Sequence, residues 1–118
     1  MLHKVYVYGT LRPGKSDTID VPGEIRDLGW FPGAVVKAPD FGETFKAEIR
    51  EVDDDELRRL DRYEGYSVTD PAHSLYVRVP YLDGWIYVYN KDMSNKPKIE
   101  GGDWLEYTKT ERGVAARN

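Results

Sequence analysis

Between Asp53 and Gly65 the chain carries its one clear helix signal, and most of what lies on either side alternates with the period of a strand. Asp53 is a good N-cap, and Glu56 three residues on completes a box-like arrangement that satisfies free backbone N–H groups. Asp54, Asp55 and Glu56 lie where the helix dipole favours negative charge. Gly65 stands where a left-handed residue commonly ends a helix. A helix is therefore expected over residues 54–64. Before it, Leu2, Val5 and Val7 interleave with His3, Lys4 and Tyr6, which reads as a strand running to Gly9. Ala34, Val35 and Val36 form a short apolar run consistent with a buried strand. Residues 45–52 alternate, with Phe45, Ala47, Ile49 and Glu51 on one side. After the helix, residues 75–82 and 85–89 read as a hairpin turning on Asp83-Gly84.

The rest is punctuation. Arg12-Pro13-Gly14 and residues 39–42 mark turns. Residues 15–29, broken at Pro22-Gly23 and Gly29, read as a loop or a short irregular helix. Residues 103–107 suggest a last short turn of helix, and residues 111–118 a flexible tail after a single domain over 1–110. One helix among strands is not βαβ alternation. It predicts an α+β domain built on a small, partly closed sheet.

Bulk properties narrow the function classes. At 118 residues the chain supports one modest core. A net charge of −4 without a basic run argues against a nucleic-acid partner, whose phosphates are gripped by clustered Lys and Arg. With 32% charged residues and no apolar stretch near the ~20 residues of a membrane span, no membrane partner is expected. No signal-peptide pattern is seen, so the expected location is cytoplasmic. There is no cysteine, and His3 and His73 stand far apart, so no metal site is expected.

One carboxylate is out of place. Leu57, Leu60 and Glu64 follow i, i+3, i+7 spacing, so Glu64 shares the apolar stripe that must face the core, while Arg58, Arg59 and Arg62 fall on wetter faces. Burial and the negative end of the helix dipole both disfavour its charged form. A carboxyl tuned upward in this way suits general acid–base chemistry near neutral pH. A frayed last turn that lets Glu64 swing into solvent is the other reading. Asp61 is expected to pair at the surface with Arg58 or Arg62. The loop Tyr8-Gly9-Thr10-Leu11-Arg12-Pro13-Gly14 opens from a strand end; Gly9 permits unusual backbone angles and close approach of a ligand, and successive N–H groups in such a turn can form an anion site. It lacks the spacing and the Lys-Ser/Thr of a phosphate loop.

Taken together, these segments resemble the γ-glutamylcyclotransferase-like (AIG2-like) family. The matches are Val5-Tyr6-Val7-Tyr8-Gly9-Thr10-Leu11-Arg12 for its YG[ST]L loop and Leu60-Asp61-Arg62-Tyr63-Glu64-Gly65-Tyr66 for its LDxxEG segment. Residues 75–79, 85–89 and 99–104, with Gly29, Pro32 and Gly33, also look like family segments, so the resemblance spans about residues 3–107. It implies a small mixed β-barrel with one main helix, short peripheral helices and a cavity at the loop end. It implies an enzyme that needs no cofactor and acts on a small-molecule γ-glutamyl substrate. The substrate's α-amine attacks its own γ-carbonyl, giving 5-oxoproline and a free amine. Glu64 then takes the place of the catalytic glutamate. Tyr8, Gly9, Thr10 and Leu11 take that of the substrate-cradling loop, and Tyr76 and Tyr87 fall at cavity-lining tyrosines.

Two substitutions depart from the family pattern. Ala47 replaces a glycine, which is expected to narrow the pocket floor, and Gly101 stands where a serine is usual. The chain is also short, without the extra segments of the glutathione-degrading members, which leaves the identity of the amine open; the oligomeric state is open too. The alternatives are an inactive module of the same fold that holds a γ-glutamyl or other amino-acid-like ligand, and an interaction protein using its nine Tyr and three Trp as a partner patch. A hydrolase pairing Asp61 with Glu64 is disfavoured, because carboxylates three apart on one helix crowd a substrate from one side.

Overall fold

The computed structural model describes residues 1–14 and 17–109; the tail expected over 111–118 lies outside the described residues. Six strands form one sheet: β1 (His3–Val7), β2 (Ile19–Asp27), β3 (Pro32–Val36), β4 (Thr44–Val52), β5 (Tyr76–Tyr81) and β6 (Gly84–Tyr89). The main helix α1 (Asp54–Tyr63) follows β4, and a short helix α2 (Trp104–Lys109) follows β6. The spatial order is β3-β2-β4-β1-β6-β5, with β1 and β6 parallel and the other neighbours antiparallel. The sheet curls into a half-barrel, because right-handed twist accumulates across six strands. Its far edges meet: the Tyr76 hydroxyl on β5 donates to the Pro32 carbonyl on β3 at 2.6 Å. A Cβ on Gly33 would come within 3.0 Å of the Tyr89 ring on β6, so only a glycine lets these strands approach so closely.

Both faces of the central strand are covered. Tyr6, Tyr8, Phe45, Ala47 and Ile86 point inward and pack with Val21, Ile25 and Trp104. Val5, Val7, Val52 and Tyr87 point the other way, onto Leu57 and Leu60 of α1. That is why Val5, Tyr6 and Val7 are all buried although they are consecutive on β1, as is Tyr8 just beyond its end.

Three local expectations change. Residues 19–27 form a strand rather than a loop or helix. Val21, Gly23 and Ile25 keep the period of two, and Pro22-Gly23 sits inside the strand because a side chain at Gly23 would run into the Val35 carbonyl at 2.0 Å. On β4, Ile49 is 44% exposed and Glu48 is buried instead. Pairing with β2 stops at Ala47, so the inner face opens to solvent beyond it. The hairpin turns on Leu82-Asp83, with Gly84 already paired to Tyr81. Leu82 takes the left-handed conformation (φ 49°), and Gly84 is held extended because a Cβ there would lie 2.2 Å from the Lys4 carbonyl on β1. The helix itself matches its reading, with the Asp53 carboxylate accepting from the Glu56 N–H at 2.8 Å.

Candidate active site

The last turn of α1 is fixed rather than frayed. Gly65 adopts φ 69°, and the Tyr66 N–H reaches back to the Asp61 carbonyl at 2.8 Å while Gly65 bonds the Arg62 carbonyl at 3.1 Å. This double closure holds the backbone of Glu64, whose own N–H is bonded to the Leu60 carbonyl at 2.8 Å. The Leu75 N–H then donates to the Gly65 carbonyl at 3.1 Å, tying the helix end to the start of β5.

Glu64 opens into a cavity of about 270 Å³. Tyr8, Gly9, Thr10, Leu11, Tyr76, Tyr87 and Glu64 all line it, so every site residue expected from sequence comes to one place. Phe31, Pro32, Tyr63 and Leu75 complete much of the wall. Among the described lining residues Glu64 is the single charged side chain, and its carboxyl has no hydrogen-bond or ion-pair partner among the described residues. Burial without compensation pushes its pKa up from 4.5 to about 7. Three tyrosine hydroxyls stand around it with their protons already committed: Tyr8 to the Tyr87 carbonyl, Tyr76 to the Pro32 carbonyl and Tyr87 to Asp61 Oδ1, each at 2.6 Å. Burial raises all three above the ordinary phenol range, and the neighbouring Glu64 charge raises them further. The Tyr8 oxygen also accepts from the Ala34 backbone N–H, whereas the oxygens of Tyr76 and Tyr87 keep lone pairs that suit an ammonium group.

Thr10 and Leu11 line the same cavity, and their backbone N–H groups have no partner among the described residues. The loop that carries them is braced from behind. Arg12, 4% exposed, donates to Glu48 at 2.6 Å and to Asp103 at 2.9 Å, and Glu48 also accepts from the Gly14 N–H at 3.3 Å. Three chain segments thus meet at one buried guanidinium. Gly9 does not adopt a positive φ, contrary to the expected use of its freedom. Its missing side chain matters for packing instead: a Cβ would lie 2.9 Å from the Pro32 ring.

Asp61 corrects another expectation. It is buried, takes a two-pronged ion pair from Arg78 at 2.8 and 3.1 Å, and accepts the Tyr87 hydroxyl, while Arg58 pairs with Asp55 instead. Arg78 is also packed over Trp85, 4.3 Å from the ring centroid. The full apolar stripe of α1 is 57, 60, 61 and 64, and Asp61 belongs to it at i+4 from Leu57. Ala47 does not line the cavity; it packs in the inner core, so it does not narrow the pocket floor. At Gly101 the chain is left-handed (φ 82°) and open space surrounds the position of a side chain. No group of three or more His, Asp or Glu placed to hold a metal ion occurs among the described residues, and no helix there is long and apolar enough to cross a membrane.

Comparison with known proteins agrees with this architecture. The Gamma-glutamylcyclotransferase family protein YtfP of Escherichia coli (strain K12) is 29% identical over 118 residues, covering 90% of this chain and 99% of that protein. The solution structure of ytfP from E. coli superposes with a TM-score of 0.59 at 26% identity, covering 87% of this chain and 96% of that one. The crystal structure of the uncharacterized protein PH0828 from Pyrococcus horikoshii has the same fold, with a TM-score of 0.60 at 20% identity over 92% of this chain and 98% of that one. Residues 5–106 match the family described as Gamma-glutamyl cyclotransferase, AIG2-like, and the chain belongs to that family.

Proposed function

We propose that this chain is a cytoplasmic γ-glutamylcyclotransferase that acts on γ-glutamyl amines and needs no cofactor. The observation that carries the reading is the unpartnered Glu64 carboxyl, raised to about 7, in one cavity with Thr10 and Leu11, whose N–H groups have no partner among the described residues. In the proposed reaction the α-ammonium of the substrate sits between Glu64 and the tyrosine oxygens. Glu64 removes a proton, and the freed amine attacks the γ-carbonyl carbon of the same molecule. The new N–C bond closes a five-membered ring, and negative charge develops on the carbonyl oxygen. As that charge collapses back, the amide C–N bond breaks. Glu64 returns its proton to the departing nitrogen, and the second proton that the new ring nitrogen must shed passes to the same amine, so 5-oxoproline and the amine, as its ammonium, leave and the carboxylate is regenerated.

Each group has a task that fits its surroundings. A base with a pKa near the working pH is charged often enough to act and still acidic enough to return the proton. Folding the substrate back on itself exploits the high effective molarity of an intramolecular nucleophile, which reaches ~10⁵ M or more in well-oriented cases. The Thr10 and Leu11 N–H groups are the donors available for the α-carboxylate or the developing oxyanion. One such donor is typically worth about 10²–10³ in rate. The reading is tested by scoring γ-glutamyl amides for 5-oxoproline, with Glu64→Gln as the blank. A ligand-holding module without turnover would show a thermal shift with γ-glutamyl compounds and no product.

A further inference from the structure

The cavity has two unlike ends. Tyr8, Pro32, Tyr76 and Tyr87 form its buried inner wall, and the half-buried Glu64 and Leu11 line it beside them. The outer lip is made by Phe31 and Tyr63, which remain 40% and 66% exposed. Phe31 rests edge-on against Tyr76 with ring centroids 6.3 Å apart, so it is held at the mouth by the cavity wall itself. Trp30, its neighbour on the turn between β2 and β3, is 87% exposed and extends the apolar surface outward. Large aromatic groups left open to water beside a cavity gain most when a ligand covers them.

The cations near this cavity are either spent or outside it. Arg12 is neutralised by Glu48 and Asp103, and Arg78 by Asp61. No Lys or Arg is among the described lining residues, and the exposed Arg59 and Arg62 of α1 do not reach that lining. The α-carboxylate of the glutamyl half has backbone N–H groups to meet it. A second carboxylate, on the amine half, would meet aromatic faces and the charge of Glu64. A carboxylate that is to be covered by these rings gives up hydration and finds no cation among the described lining residues in return.

Resting on the cyclotransferase reading, we infer that the amine released from this site bears an apolar or aromatic group and no carboxylate. Phe31 and Tyr63 are its specificity-determining residues. The glutamyl half enters first, because it must reach Glu64. The amine half therefore stays at the lip, against these two rings. When the amide C–N bond breaks, the amine takes its proton from Glu64 and leaves past the same apolar surface.

Three compounds separate the terms: γ-glutamyl-phenethylamide, γ-glutamyl-phenylalanine and γ-glutamyl-methylamide. The first two differ by a carboxylate, and the first and third by the apolar group. For the wild-type chain, kcat/KM for 5-oxoproline release is expected to be at least about tenfold higher for the phenethylamide than for either of the others. The Phe31→Ala/Tyr63→Ala double variant is expected to bring the phenethylamide-to-methylamide ratio toward one. Equal rates for phenethylamide and phenylalanine, or a ratio to methylamide that survives the double variant, overturn the inference and leave the cyclotransferase reading standing. If none of the three is turned over while other γ-glutamyl amides are, the inference is overturned and the cyclotransferase reading stands; if no γ-glutamyl amide is turned over, both fall.

Discussion

The hydroxyl of Tyr87 donates to Oδ1 of Asp61 at 2.6 Å, and this contact joins the cavity wall to the helix that carries Glu64. Asp61 also holds the nearly buried Arg78, so removing its carboxylate strands a guanidinium between two aromatic rings. Breaking a buried pair from one side is far more costly than replacing the pair as a whole. Asp61→Ala is expected to lower stability by about 3–5 kcal/mol in chemical denaturation. Asp61→Ala combined with Arg78→Met is expected to recover part of that loss. A single variant within about 0.5 kcal/mol of wild type would show that the pair does not hold the helix.

Gly9→Ala tests why glycine is needed after β1. The backbone there tolerates a side chain, but the new methyl group would meet the Pro32 ring at 2.9–3.0 Å. Overpacking of this kind costs about 1–3 kcal/mol, and here it also moves the loop that presents Thr10 and Leu11. Gly9→Ala is expected to be destabilised and slow, with much of both deficits recovered in Gly9→Ala/Pro32→Ala. A coupling energy near zero between the two sites would contradict the packing explanation.

The raised Glu64 pKa makes a signed prediction about stability. In the unfolded chain the carboxyl titrates near 4.5, and in the fold near 7, because burial penalises its charge. The folded state therefore binds the proton more tightly. Its contribution to stability is complete below about pH 4.5 and is lost as pH rises through 7. Glu64→Gln removes this dependence. The variant is expected to match wild type near pH 4.5 and to be more stable by about 1–2 kcal/mol at pH 8, a value discounted because the carboxyl is open to cavity water. Thermal melts across pH 4–9 measure it. Equal stability at both ends of that range would mean that the carboxyl is not desolvated.

The same carboxyl shapes the rate. If Glu64 must be ionised to take the amine proton, kcat/KM rises with pH along an acidic limb centred near 7. A limb centred near the unperturbed value of 4.5 would contradict the tuned-base account.

How much of this could be read beforehand depends on the period of each segment. The helix 54–64 was legible because cap, dipole and stripe agree at Asp53, Leu57, Leu60 and Gly65. The same stripe pointed to Glu64 and, read one residue further, would have included Asp61. Strand β2 was hidden because Pro22-Gly23 mimics a turn, while the reason for that glycine is the Val35 carbonyl on a neighbouring strand. The hairpin was misplaced by one residue for a like cause, since Gly84 is required by Lys4, eighty positions earlier in the chain. Ile49 and Glu48 exchanged places because one strand can be covered on both faces over part of its length, which period alone cannot show. The Arg12–Glu48–Asp103 brace needs three segments brought together, and no local pattern announces that. The cavity loop came from the family resemblance; its unpaired N–H groups are a property of the folded chain.

The central claim is that Glu64 moves the proton in ring closure. It is tested most directly by measuring 5-oxoproline release by Glu64→Gln, beside wild type, from a γ-glutamyl amide that the wild-type chain turns over. Gln keeps the shape and removes the base, so a fall of about 10²–10⁴-fold or more is predicted, with the fold intact by circular dichroism and melting temperature. Release by the variant at a near wild-type rate would contradict the account.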